Sequence, residues 1–226
     1  MSILVDNGPL QPGDRAPNVV LDAITRDGKI ALEDFRGRKP VLVGLFRGLH
    51  CPFCRRHIAA QAQIDSALRE QGVECLTVVN TPIERAKLYF RYHPMPGLLA
   101  AADPERSSHR AFGLPNAEFV EGETEWPRKI GMVDAMKMVV EVPGELPEPM
   151  NPAIAAGILN KKDGYDITPV DEQMAATGTG QLFGQFLLDR DGVIRWSFTE
   201  VPEGGRRMFG RPAPDELMAA ASALRQ

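Results

Sequence analysis

The tetrapeptide Cys51-Pro52-Phe53-Cys54 constrains this chain more than any other feature, because of what flanks it. Before it, residues 40–46 (PVLVGLF) form a continuous apolar run, the pattern of a strand buried on both faces. After it, PFCRRHIAAQAQIDSALREQG has helical periodicity, with Ile58, Ala62, Ile64 or Gln61, and Leu68 able to face a core. Pro52 suits the first helical turn and Gly72 the C-terminal cap. The two cysteines should therefore sit where a buried strand hands over to a helix.

That position suits thiol chemistry. The thiolate, not the thiol, attacks disulfides and peroxides. A sulfur at Cys51 would lie near the unpaired N–H groups and positive dipole end of the helix. Arg47, His50, Arg55, Arg56 and His57 are close in sequence and add positive potential. Cys54, one turn deeper and more sheltered, can reach back to form a short disulfide. Cys51 is thus the expected nucleophile and Cys54 the resolving thiol, with His50, Arg47 and Arg55 stabilising the thiolate. If the oxidant is a peroxide, Cys51 becomes a sulfenic acid with which Cys54 condenses.

Zinc sites also use C-x-x-C, but no second such pair completes a ligand set here. Haem attachment needs a histidine at position 55, where arginine stands. Cys75, the remaining cysteine, falls in an apolar segment and reads as a small hydrophobe. No metal or cofactor motif emerges: there is no P-loop and no G-x-G-x-x-G.

Along the chain, Asp27-Gly28 marks a hairpin turn inside residues 19–35, and Glu33 to Gly37 form a short helical turn. VECLTVVN (73–80) and GLLAAAD (97–103) read as strands. Thr81-Pro82-Ile83-Glu84 reads as a capping box opening a helix to about Tyr92. A short helix follows Asp103-Pro104 and closes at Gly113. Residues 115–180, rich in Pro, Gly, Met and Glu, have weak periodicity and read as an irregular insertion. Met132, Met136, Met138 and Met150 read as core or interface packing, rather than a ligand groove. A second hairpin with Asp191-Gly192 at its turn and a helix at 215–226 end the chain. Strands alternating with helices imply a sheet with helices on both faces, in one domain spanning 1–226.

With 26 Lys and Arg against 30 Asp and Glu, the net charge is −4, which argues against a nucleic-acid binder. No apolar run reaches the roughly 18 residues of a membrane helix. The opening MSILVDNGPL lacks the features of a secretory signal. The simplest expected location is the cytoplasm.

The segments 13–37, 41–57, 101–114 and 184–198, with a looser match at 199–206, resemble the alkyl hydroperoxide reductase/thiol-specific antioxidant family, in its peroxiredoxin-like branch. The resemblance implies a thioredoxin-like fold: a central mixed sheet with helices on both faces, an N-terminal hairpin, and an insertion before the last β-hairpin. It places Cys51 at the peroxidatic position. It implies a peroxide or disulfide substrate and a thiol reductant such as thioredoxin or glutathione. A homodimer is compatible, since related proteins often dimerise. The family's proline seven residues before that cysteine, and its threonine or serine three before, are Gly44 and Gly48 here. No arginine stands near Phe183, where the family's distal arginine should fall; Arg47 is the nearest substitute. The C-x-x-C points to disulfide exchange and the flanking frame to peroxide reduction. Two other readings remain open: a redox-sensing binding protein without steady turnover, and a zinc-stabilised structural module.

Overall fold

A computed structural model describes residues 8–178, 180–200 and 209–224. Nine strands are described: β1 Val20–Ala23, β2 Lys29–Ala31, β3 Val41–Phe46, β4 Glu74–Val79, β5 Leu99–Ala102, β6 Glu118–Val120, β7 Lys129–Gly131, β8 Gly184–Leu188 and β9 Ile194–Thr199. The helices are α1 Pro52–Glu70, α2 Ile83–Tyr92, α3 Ser107–Ala111, α4 Met132–Lys137, α5 Pro152–Lys162, α6 Pro169–Gly178 and α7 Pro214–Ala223. The main sheet has the order β2-β1-β5-β4-β3-β8-β9. Its centre, β3-β4-β5, is parallel; β1 and β8 join it antiparallel. This is the mixed α/β sheet that the strand and helix alternation predicts and the thioredoxin-like fold that the resemblance implies.

β3 is buried along its whole length and shows why the sheet is two-faced. Leu42 and Phe46 point into one core, with Ile58 and Leu68 of α1, Phe90 of α2, Leu159 of α5 and Leu217 of α7. Val41, Val43 and Leu45 point into the other, with Ile30, Phe112 and Phe186. The period-two alternation of a strand divides its apolar residues between these layers. Ile58 is fully buried; truncating such a side chain to alanine costs about 2–5 kcal/mol.

The two Asp-Gly hairpins form as expected, with Gly28 and Gly192 at positive φ of 83° and 77°. Two readings need correction. Thr81 makes no capping box: α2 starts at Ile83 with Pro82 as N-cap, and the Thr81 hydroxyl instead accepts the Leu49 N–H at 2.8 Å. It ties the loop before Cys51 to the end of β4. The 115–180 stretch is not irregular. It holds the small parallel pair β6-β7 and the helices α4, α5 and α6. The loosely matching tail 199–206 falls, beyond Glu200, mostly outside the described residues.

Candidate active site

The strand-to-helix junction places Cys51 as the N-cap of α1. Its backbone N–H bonds Gly48 O at 3.0 Å, and its Sγ accepts the Cys54 N–H at 3.4 Å. Pro52 at the first helical position has no N–H to leave unpaired, and its fixed φ suits the start of the helix. Both cysteines are reduced and buried, Cys51 at 8% exposure and Cys54 at 0%.

Burial opposes ionisation of Cys51. A hydrogen bond from the Cys54 thiol, the positive charge of Arg47 and the Cys54 N–H outweigh it, bringing the thiol down to about 6. Cys54 moves the other way. Burial, then its hydrogen bond to Cys51 and the charge there, push it well above the ordinary thiol range. These opposite shifts favour a thiolate at Cys51 and a protonated donor at Cys54.

Arg47 follows β3 directly and is 5% exposed. Its terminal nitrogens grip the Glu200 carboxylate at 2.7 and 2.8 Å and donate to Gln181 O at 3.0 Å. Its guanidinium lies 4.9 Å from the centre of the Phe209 ring. Glu200 is fully buried and also accepts the N–H groups of Phe183 and Phe209. Burial raises this carboxyl, opposed by Arg47 and those two donors. Sequence reading missed Glu200 because it lies 153 positions from Arg47 without a motif around it.

The other expected stabilisers do different work. Arg55 donates to Leu49 O at 2.6 Å, Asn160 Oδ1 at 2.8 Å and Asp163 Oδ2 at 2.6 Å. It fixes the loop before Cys51 to α5. His50 is shifted down to about 4, first by burial and then by Arg47 and Arg55, against the pull of Asp171. It is neutral near pH 7 and supplies no positive charge, which corrects its expected role. His57 is lowered to about 3 by burial and Arg47, and its Nε2 lies 3.1 Å from Phe209 O. Arg56 bridges Asp163 and Glu145. Cys75 is buried in β4, and burial lifts its thiol to about 12.

Geometry accounts for the two glycines that replace family residues. A Cβ on Gly48 would stand 2.6 Å from His50 Nδ1 and 3.0 Å from Asn80 O. One on Gly44 would stand 2.5 Å from Gln61 Oε1 and from the Phe46 ring. The position near Phe183 is a ring stack: its centroid is 5.1 Å from Phe46 and 4.9 Å from His57. Arg47 reaches the segment before Phe183 through its hydrogen bond to Gln181 O.

Cys51 lines a cavity of about 510 Å³. Arg47, His50 and Phe53 form its floor, while Phe119, Met132, Met136 and Met138 come from the insertion. Three of the four methionines line a groove at Cys51 rather than the core, while Met150 packs against the core. Among the described residues, no group of three or more His, Cys, Asp or Glu side chains could hold a metal ion. No described helix is long and apolar enough to cross a membrane.

A family model described as AhpC/TSA matches residues 12–142, more than half of the chain. The chain belongs to the AhpC/TSA family. No curated protein matches it. Several solved structures share the fold at low identity. A reduced 2-Cys peroxiredoxin from Plasmodium vivax superposes with TM-score 0.57 at 14% identity, covering 96% of this chain and 83% of that one. The peroxidoxin BcpB from Mycobacterium tuberculosis gives 0.56 at 10% identity, covering 96% and 99%. A yeast mitochondrial 1-Cys peroxiredoxin gives 0.56 at 15% identity, covering 96% and 76%. This AhpC/TSA protein is a thiol-dependent, peroxiredoxin-like oxidoreductase. Neither the redox-sensor reading nor the zinc-module reading draws support from these relatives.

Proposed function

We propose that this protein reduces an oxidised small substrate, a peroxide or a disulfide, through a Cys51/Cys54 dithiol–disulfide cycle. The observation that carries this reading is the Cys51 sulfur at the helix N-cap, beside Arg47 and hydrogen-bonded by Cys54. With a peroxide, the Cys51 thiolate attacks one oxygen. The S–O bond forms, the O–O bond breaks, and the alcohol or water leaves with a proton. Cys54 then displaces water from the sulfenic acid to give the disulfide. With a disulfide, two successive exchanges release two thiols.

The resolving step follows from the same electrostatics. Burial and the Cys51 thiolate together keep Cys54 protonated. Oxidation of Cys51 removes that negative charge, so Cys54 loses its proton more easily once its partner has reacted. A thiol reductant such as thioredoxin or glutathione returns the disulfide to the dithiol. The yeast mitochondrial 1-Cys peroxiredoxin resolves its thiol through glutathione and thioredoxin systems, which supports that class. The cycle needs no bound cofactor.

Stopped-flow mixing of reduced protein with oxidant, followed by thiol titration, tests the assignment. Cys51→Ser should abolish reaction with any oxidant. Cys54→Ser should keep one rapid turnover and lose recycling. Full turnover by Cys51→Ser would overturn the reading.

A further inference from the structure

The Cys51 cavity is much larger than its simplest oxidant needs. A water molecule takes about 30 Å³ of liquid volume, so hydrogen peroxide would leave most of the 510 Å³ empty. The size falls in the range of small-molecule pockets, about 300–1,000 Å³. Its wall is apolar: Phe119 from β6, Met132 and Met136 from α4, Met138 just after it, and Ala153 and Ala156 from α5. Phe119, Met132 and Met136 are 37%, 45% and 67% exposed. They line open space above the nucleophile rather than filling the core.

The polar groups near Cys51 say what that occupant carries. A hydroperoxide's leaving alkoxide is a strong base and needs donors aimed at the O–O bond. Gly48 offers no hydroxyl there. Both terminal nitrogens of Arg47 already donate to Glu200 and to Gln181 O. A disulfide leaves as a thiolate, whose weaker basicity demands less of the site. We propose, building on the dithiol cycle above, that the insertion-walled cavity makes Cys51 selective for a small disulfide carried on apolar groups. Phe119 and Met136 are the specificity-determining residues.

The step balances. Cys51 thiolate attacks one sulfur of R–S–S–R, forming a Cys51–S–S–R bond and expelling RS⁻. Cys54 loses its proton and attacks Cys51 Sγ, closing the Cys51–Cys54 disulfide and expelling the second RS⁻. The substrate gains two electrons, the protein loses two, and an external dithiol restores them.

The test compares single-turnover rates of the reduced protein with dibenzyl disulfide, glutathione disulfide, cumene hydroperoxide and hydrogen peroxide. Each rate is divided by the rate of Cys51 alkylation by iodoacetamide, which reports thiolate reactivity alone. The expected order puts dibenzyl disulfide first. Met136→Ser and Phe119→Ser should each lower the normalised dibenzyl disulfide rate about tenfold, the scale of small changes in an apolar pocket, and leave glutathione disulfide unaffected. Ile154→Ser is the control, since Ile154 is exposed on α5 but does not line the cavity. Equal normalised rates for the two disulfides would overturn the proposal, as would a Met136→Ser protein with unchanged selectivity. A cumene hydroperoxide rate above that of dibenzyl disulfide would overturn the disulfide assignment. All three results leave the dithiol cycle intact. Only reaction that survives Cys51→Ser overturns the cycle itself.

Discussion

At the scale of single residues, the chemistry turns on how a buried sulfur keeps a negative charge. Burial alone would neutralise Cys51; Cys54 and Arg47 reverse that outcome. Arg47 cannot be deleted cleanly, because its loss leaves Glu200 buried and unpaired, a change that costs about 3–5 kcal/mol. The informative variant is therefore Arg47→Gln with Glu200→Gln. Its alkylation-rate profile from acid to alkaline pH should show the Cys51 midpoint raised from about 6, because the pull of Arg47 outweighs the opposing charge of Glu200. Its rate should fall below wild type near neutrality and converge with it in alkali. An unmoved midpoint would mean that the Arg47–Glu200 pair exerts no net field on Cys51. The placement of the two cysteines at the helix start was legible from the motif because three-residue spacing and a helix N-terminus are local facts. The state of His50 was not, because its neutrality follows from burial by distant elements. Glu200 was invisible for the same reason: only the fold brings it to Arg47.

Gly48 tests how far the site departs from its family. Threonine grafted there would meet His50 Nδ1 and Asn80 O. Overpacking of this kind costs about 1–3 kcal/mol. Gly48→Thr should therefore lower both the thermal midpoint and the peroxide rate. Gly48→Thr with His50→Ala should regain much of the stability, because the ring that obstructs the new side chain is gone. A faster peroxide reaction in the single variant would show that the backbone yields readily.

At the scale of elements, the insertion docks on α1 through charge as well as apolar contact. Asp163, at the end of α5, receives both Arg55 and Arg56, and Glu145 receives Arg56. Burial of Asp163 works against its charge, yet Arg56 and Arg55 hold its carboxyl below the ordinary range. Its contribution to stability is therefore full above the unfolded carboxylate pKa and is lost as pH falls through the lower folded value. Asp163→Ala leaves two arginines short of an acceptor and should cost about 1–3 kcal/mol. Hydrogen exchange should show α5 amides losing protection while those of β3 keep theirs. Equal loss in both elements would mean that α5 and the sheet open as one unit. The central strands were legible as short continuous apolar runs, and α1 by its helical periodicity. α5 was not: Ala155 and Leu159 face the core while Ile154 and Ile158 are exposed, so apolar residues surround it. A helix that serves both a core and an open apolar surface has no single stripe to read.

At the scale of the molecule, thiolate and disulfide compete to stabilise the fold, and pH decides between them. The disulfide constrains the unfolded chain over a very short loop, a contribution of about 2 kcal/mol that hardly varies with pH. The thiolate stabilises only the reduced form. The folded pKa of Cys51, about 6, lies below the unfolded value near 8.5, so this contribution is absent in acid, grows as pH rises through the folded value and is full above the unfolded one. It amounts to about 1 kcal/mol near pH 7 and about 3 near pH 9. Cys54, held protonated in the folded dithiol, works against that gain at the alkaline end. The oxidised protein should thus hold its largest stability advantage at pH 5, and that advantage should shrink as pH rises. Urea unfolding of both forms at pH 5, 7 and 8.5 measures this directly. The difference in unfolding free energy should shrink steadily with pH, by about 2 kcal/mol across the series. A difference that stays constant would mean that Cys51 titrates alike in folded and unfolded chains, and the electrostatic account of its reactivity would fail with it. A shrinking difference also fixes the redox poise: stabilising the dithiol form makes the disulfide a stronger oxidant, and so easier for a cellular thiol to reduce.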